Sequence, residues 1–242
     1  SDVYKRQIDA LTTGFLSYTG IADTAANIIA NAGGYVTGNI NVSVTDPITA
    51  SQLITIDALT TGSINYSLVG GGTADTIWNL LSSITSPTSS NVTVLGDAPI
   101  QQLVQLDALV TGTLTVSAIR DSAANLIANT GGYVSGSIPV TIEGNGMFTP
   151  APTQSEIIAI AGLTTGPVTV DSTIYGLNIT SALPSNVNFI IHTATITQLT
   201  ALDPFVAGSL RAYSIMDTGA VLVGKANMHE LAFGITTTLS LA

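Results

Sequence analysis

The sequence contains no cysteine, so disulfides, thiolate metal sites and thiol nucleophiles are all excluded. Charge is nearly as scarce. Asp, Glu, Lys and Arg make up 8% of the 242 residues, against about 25% in ordinary globular domains. Five basic residues face fifteen acidic ones, for a net charge of −10. A chain this acidic, with no basic cluster, cannot neutralise phosphates or dock electrostatically on anionic lipid, which argues against nucleic-acid and membrane partners. Aromatic residues amount to 5%, and Trp78 is the one tryptophan. Mean hydropathy is +0.49, yet no run approaches the ~18 uninterrupted apolar residues of a membrane span. The apolar residues are spread as a core is spread.

What the chain does have is internal self-similarity. IDALTTG (8–14) returns unchanged at 56–62, then as LDALVTG (106–112), IAGLTTG (160–166) and LDPFVAG (202–208), at roughly 50-residue spacing. A second motif runs between these copies. DTAANIIANAGGYVTG (23–38) and DSAANLIANTGGYVSG (121–136) agree at 12 of 16 positions, with weaker copies in DTIWNLLSSI (75–84) and DTGAVLVG (217–224).

Each motif has one grammar: a short helical pattern, then glycine, then period-two alternation. Apolar residues three apart (Leu53, Ile56, Leu59; Leu103, Leu106, Leu109; Ile157, Ile160, Leu163; Leu199, Leu202, Phe205) predict helices of about three turns, each with one buried face. Gly14, Gly62, Gly112, Gly166 and Gly208 are expected to end them through positive φ, as are Gly33-Gly34 and Gly131-Gly132 in the second motif. Asp23, Asp75, Asp121 and Asp217 stand where N-caps belong, each worth ~1 kcal/mol. Strands come next, with Ile40, Val42 and Val44, Ile64, Tyr66 and Leu68, and Leu114 and Val116 facing inward.

A unit of ~24 residues with one helix and one strand belongs to the size class of leucine-rich-repeat-like solenoids. The expected fold is therefore α/β: a right-handed solenoid of about ten helix–strand units, with a parallel sheet on one side. The alternative wraps each ~48-residue repeat as one coil with two sheets. Repeats fall at approximately 8–50, 51–100, 101–153, 154–195 and 196–242, a single continuous array over 8–242.

Residues suited to chemistry are few. His192 in IIHTAT is placed near a strand end, and His229 in MHELAF lacks the second histidine of a zinc-protease HExxH helix. Asp9, Asp57, Asp107 and Asp203 recur and invite a calcium reading, but strands ~4.8 Å apart put equivalent positions two coils away beyond one ion's reach. GGGTAD (70–75) and EGNGMF (143–148) resemble calcium-binding Gly-Asp turns only faintly, so no cofactor is expected and calcium stays open as a folding factor. No Ser-centred elbow, phosphate loop or convergent acid–base cluster is legible, so no enzyme is expected. The outward strand positions read Asn39, Asn41, Ser43; Ser63, Asn65, Ser67; and Thr113, Thr115, Ser117. A solvated sheet face must be polar in any case, but such a lawn of short hydrogen-bonding groups is also the candidate contact face for glycan, ice or a neighbouring protein.

Ser1–Gln7 matches none of the repeats, and Asp2–Gln7 resembles a translated sequencing-library adapter; it is expected to be foreign to the array. At the other end, Ile235, Thr237, Leu239 and Leu241 read as the inward face of a last strand with no polar cap, so the segment is expected to be either a slice of a longer array or one that stacks on a partner. ITASQL (48–53), IDALTTG and DTAANIIAN together resemble repeat arrays of large secreted bacterial surface proteins of the adhesin, S-layer or RTX-associated type. The resemblance implies a structural or adhesive segment outside the cell or on its surface. Its partners would be further repeats or a neighbouring surface protein, with glycan as the alternative ligand. It brings no catalytic residues with it, and the tandem GGxGxDxxx nonapeptides of RTX proteins are absent.

Overall fold

A computed structural model describes residues 11, 16–68, 71–85, 88–144 and 151–218, at 88–90 the backbone alone. The first seven residues, the first IDALTTG copy apart from Leu11, the MHELAF stretch with His229, and the strand expected at 235–241 lie outside the described residues. So do Gly70, residues 145–148, and the second motif's last copy beyond Thr218.

Strands and helices alternate along the chain, and the contacts divide them into two compact units. One unit holds the described residues through Gly96 together with Gln102–Val116, and the other holds Asp97–Gln101 and the described residues from Ser117 onward. The elements are β1 (Gly20–Asp23), α1 (Ala25–Ala30), β2 (Asn41–Val44), α2 (Ala50–Asp57), β3 (Ile64–Ser67), α3 (Ala74–Ser83) and β4 (Thr88–Ala98). They continue with α4 (Ile100–Asp107), β5 (Leu114–Ser122), α5 (Ala123–Ala128), β6 (Val140–Gly144), α6 (Gln154–Ala161) and β7 (Val168–Ser172). After β8 (Val187–Ala194), α7 (Ile196–Leu202) runs into a 3-10 turn, Asp203–Phe205, before β9 (Leu210–Ile215). The connection from β7 to β8 carries no helix.

In the first unit β1, β2, β3 and β4 pair in that order, every pair parallel. In the second, β5 to β9 do the same. Register lines up the inward residues of successive strands, as in the rank Ile142, Val170, Phe189, Leu210. The first three of these are fully buried and Leu210 is nearly so. Helix residues close the core from the other side: Ala25, Ile28, Leu53, Ile56 and Ile77 in the first unit, Leu126, Ile157 and Ile160 in the second. Each fully buried aliphatic side chain contributes about 1.5–3 kcal/mol. Neighbouring helices touch along the array, α1 on α2 and α5 on α6. The period-two inward positions are where the sequence puts them, with Ile64 and Tyr66 buried and Leu114 and Val116 half-buried.

The helices are shorter than the apolar stripe predicts. α2, α4 and α6 have 8 residues each, about two turns. Leu59, Leu109 and Leu163 therefore fall beyond the helix end and are half-buried or exposed, while the first two members of each stripe are buried.

The glycines also work differently from the expectation. Gly62, Gly166 and Gly208 do not take positive φ. They are small because a neighbouring unit's backbone lies against them. A Cβ on Gly62 would strike the carbonyl of Ile40, one on Gly166 the carbonyls of Ser137 and Ile138, and one on Gly208 the carbonyl of Val187. In the second motif Gly33, Gly34, Gly131 and Gly132 do take positive φ, but the helix has already stopped before them, at Asn31 and Asn129, which adopt the left-handed conformation at φ 40° and 43°. Asn tolerates that conformation because its side chain bonds locally. Here Asn31 pairs with both the N–H and the carbonyl of Val36, at 2.9 Å each, and Asn129 does the same with Val134.

Asp23, Asp75 and Asp121 are not the N-caps. Thr24, Thr73 and Ser122 cap α1, α3 and α5 through their hydroxyls, and Thr49, Thr153 and Thr195 cap α2, α6 and α7 in full capping boxes with Gln52, Glu156 and Gln198. Asp23 and Asp121 sit one residue earlier, at the strand end, and Asp75 one residue inside its helix. The reason is direction: positions 23 and 121 face inward as the last buried residues of their strands, so their carboxylates meet the helix start from below. Asp217 immediately precedes Thr218, the last described residue.

Stacked units hold one another's cores, so a defect in one should spread to its neighbours first. Leu106, which is fully buried, makes the test. Leu106→Asp places an unpaired charge in the core at a cost of several kcal/mol. Hydrogen exchange should show protection lost around α4 and β5 before β1 and β2; uniform, all-or-none loss would contradict a quasi-one-dimensional stack.

Candidate functional site

The outward strand face is polar, as the alternation requires. Asn39, Asn41, Ser63, Asn65, Ser67, Thr113 and Thr115 are exposed on the first unit and Ser43 is half-buried there; Ser117 is exposed on the second unit. Several of these side chains do structural work. Asn41 accepts from both the N–H and the hydroxyl of Ser63 at 2.9 Å, and Asn91 accepts from the N–H of Thr113 at 2.9 Å. Asn188 does for Ser209 what Asn41 does for Ser63, at 2.8 and 2.9 Å. An asparagine on one strand therefore satisfies the start of the next. The first threonine of TTG works in the opposite direction: Thr60 and Thr164, both buried, donate to carbonyls of the preceding unit, Ile40 and Ile138, at 2.6 and 2.8 Å.

The aspartates form the third stitch. Ala25 N–H, the first of α1, donates to Asp46 at 2.7 Å. Ile100 N–H, the first of α4, donates to Asp121 at 2.9 Å, and Ile196 N–H, the first of α7, to Asp217 at 3.0 Å. In each case the acceptor lies 21 residues further on. Asp121 also accepts from Ser122 N–H and the Asn125 amide, both at 2.7 Å, so a nearly buried carboxylate is well supplied with donors. It lies at two helix starts, where the partial positive charge favours an anion. Asp57, a calcium candidate by sequence, instead accepts from the N–H and hydroxyl of Thr85 at 3.1–3.2 Å. No group of three or more potential metal-ligating side chains occurs among the described residues.

One part of the face departs from this uncharged pattern, in the second unit. Arg120 on β5 donates through Nε to Asp97 on β4 at 3.0 Å and through Nη1 to Asp171 on β7 at 2.8 Å, with Glu143 on β6 at 3.6 Å. Asp171 Oδ1 takes His192 Nε2, on β8, at 2.6 Å. A carboxylate only accepts, so Nε2 carries the proton. The His192 ring stands edge-on to Tyr213 of β9, ring centroids 5.4 Å apart at 83°. The chain of contacts thus runs over six consecutive strands, β4 to β9.

Partial burial works against charge on both partners, but the hydrogen bonds and charges win. Burial alone would lower the Arg120 pKa, yet its bonds to Asp171 and Asp97 hold the guanidinium protonated above its usual range. Burial would raise the Asp171 pKa, yet Arg120 and His192 hold it below its ordinary value.

The sequence placed His192 correctly near a strand end but did not connect it to the others. A signal was present in part: in a chain with 8% charged residues, Glu143, Asp171 and His192 fall on the outward parity of three successive strands, whereas alternation from Leu114 and Val116 would turn Arg120 inward, and only a shift of parity between Ala118 and Ile119 brings it outward. What it could not show is that Arg120 spans past β6 to reach Asp171. Comparison of the chain with protein-family models, curated proteins and solved structures finds no match in any of the three.

Two kinds of substitution test these roles. Asp121→Ala removes an acceptor from three donors, two of them backbone, and should cost about 3 kcal/mol in urea denaturation. Asp75→Ala, which loses an exposed contact with Gln102, should cost under about 1 kcal/mol; equal costs would restore a simple capping role for both. For the ion network, Asp171's folded pKa lies below its unfolded one, so its stabilisation is complete above the unfolded value and fades as pH falls through the folded one. Arg120→Met should therefore cost about 1 kcal/mol near neutral pH, after solvent screening, and progressively less below about pH 4. A cost that grows with acidity would contradict the pairing.

Proposed function

We propose that this chain is a structural or adhesive segment of an extracellular bacterial repeat protein, without catalytic activity of its own. In this reading it is a right-handed solenoid of about ten ~24-residue helix–strand units, and its partners are further repeats of the same chain or a neighbouring surface protein. One observation carries it. The same three kinds of side chain, Asn on the strands, Thr of TTG and Asp near strand ends, recur at several of the joins between one unit and the next. The polar groups therefore go into stacking rather than into a convergent site. Direct parallel pairing of strands from consecutive ~24-residue units favours the shorter repeat over a ~48-residue coil with two sheets. A low-charge surface carrying no basic cluster also suits an element whose work is mechanical.

Pulling the chain from its two ends tests this. A stack held by nearest-neighbour stitches should peel in successive steps of about 8 nm, the extended length of one unit. A single event releasing the whole contour at once would sink the stalk-like reading.

A further inference from the structure

We infer that Asn178, in the connection from β7 to β8, is an acceptor for N-linked sugar, where a transferase that reads Asn-x-Ser/Thr places a hexose on the folded array. Four such sequences occur: Asn41-Val42-Ser43, Asn65-Tyr66-Ser67, Asn91-Val92-Thr93 and Asn178-Ile179-Thr180. Serine and threonine are so frequent here that the motif recurs by chance, and the fold is what separates the four. The first three lie within β2, β3 and β4. Their middle residues, Val42, Tyr66 and Val92, belong to the core, none more than 3% exposed. Asn41 and Asn91 are also committed, each accepting from the start of the next strand. A transferase must close around several consecutive residues of its acceptor, so using any of these three means pulling a strand out of the sheet.

Asn178 is placed differently. Every other described crossover between consecutive strands holds a helix, whereas residues 173–186 form neither helix nor strand. An irregular connection of that length inside a compact repeat is uncommon and tends to carry function. Asn178 is exposed between half-buried Leu177 and Ile179, and its side-chain amide makes no hydrogen bond among the described residues. Thr180 is exposed too, and Gln154 of α6 accepts from its N–H at 2.9 Å and from its hydroxyl at 3.3 Å. That hydroxyl keeps its acceptor lone pairs. The connection is therefore pinned just past the acceptor and open at the acceptor itself.

The step is a substitution at the sugar. Asn178 Nδ2 bonds to C1 of a nucleoside-diphosphate hexose as the C1–O bond to the diphosphate breaks. The nucleoside diphosphate leaves with the electron pair, and the amide proton passes to a base of the transferase. Asn178 takes no part in the Asn, Thr and Asp stitches between units, so a bulky, hydrophilic sugar there leaves them intact.

This site goes beyond the stalk reading and does not depend on it: pulling reads the stacking, and sugar transfer reads one connection. The purified, folded chain is incubated with UDP-glucose and an N-glycosyltransferase first shown to glucosylate a synthetic peptide of residues 173–186. Intact mass and peptide mapping then count and place the hexoses. The expected result is a single hexose, at Asn178. Relative to synthetic peptides of the same sequence, Asn41, Asn65 and Asn91 should each react at least about tenfold more slowly in the folded chain, because a strand must open first. Asn178→Gln and Thr180→Ala should abolish transfer, while Thr180→Ser retains it. Gln154→Ala, which unpins Thr180 but keeps the acceptor sequence, should retain it as well. Circular dichroism of each variant separates lost acceptance from lost fold. No transfer to the folded chain, transfer at a strand asparagine ahead of Asn178, or undiminished transfer to a folded Asn178→Gln variant would each overturn the proposal.

Discussion

Everything in this chain depends on backbone groups at the ends of one unit finding partners in the next. A helix of six to eight residues leaves four N–H groups unsatisfied at its start, as many as a long helix does, and has little internal bonding to set against them. Here Thr or Ser from the same unit takes one, and Asp from the next unit takes the first N–H of α1, α4 and α7. Strand starts are treated alike, with Asn41, Asn91 and Asn188 each reaching one strand forward. Short elements are stable because their ends are shared.

The composition reflects that constraint. Asn, Thr and Asp are short, so they bond close to their own backbone and across a ~4.8 Å strand gap without losing much side-chain entropy. Long charged side chains would reach too far and lose more. The aspartates are tolerated near the core because backbone donors surround them; Asp121 accepts three hydrogen bonds and lies at two helix starts. Glycine at 62, 166 and 208 obeys the same logic of closeness, leaving room for a carbonyl of the preceding unit.

Against this uncharged background the Arg120 network is a different device. It uses a long, forked cation to tie β4, β6 and β7 together, and its carboxylates are only partly screened from water. The stabilisation is modest, since desolvation and solvent screening offset most of it. Its second consequence is positional: Asp171 and His192 are held at fixed distance beside an exposed aromatic ring, which the stitched residues of the other strands are not.

The repeat, the alternation of helix and strand and the parity of strand faces were legible in the chain, because burial imposes a period and the period survives in one dimension. Ile64, Tyr66 and Val42 face inward, and Asn65, Ser67 and Thr115 outward, as their alternation demands. The roles of Asp121, Gly62 and Gly166 were not legible. Local rules of capping and positive φ assign each to its own helix, whereas each answers a backbone group in the preceding unit. The link from Arg120 to Asp171 was hidden for the same reason. Sequence by itself determined the alternation that gives most strands a buried and a solvated face, and how often the pattern returns. Only the tertiary structure decided which polar group meets which, since a hydrogen bond depends on distance across the stack and not on separation along the chain.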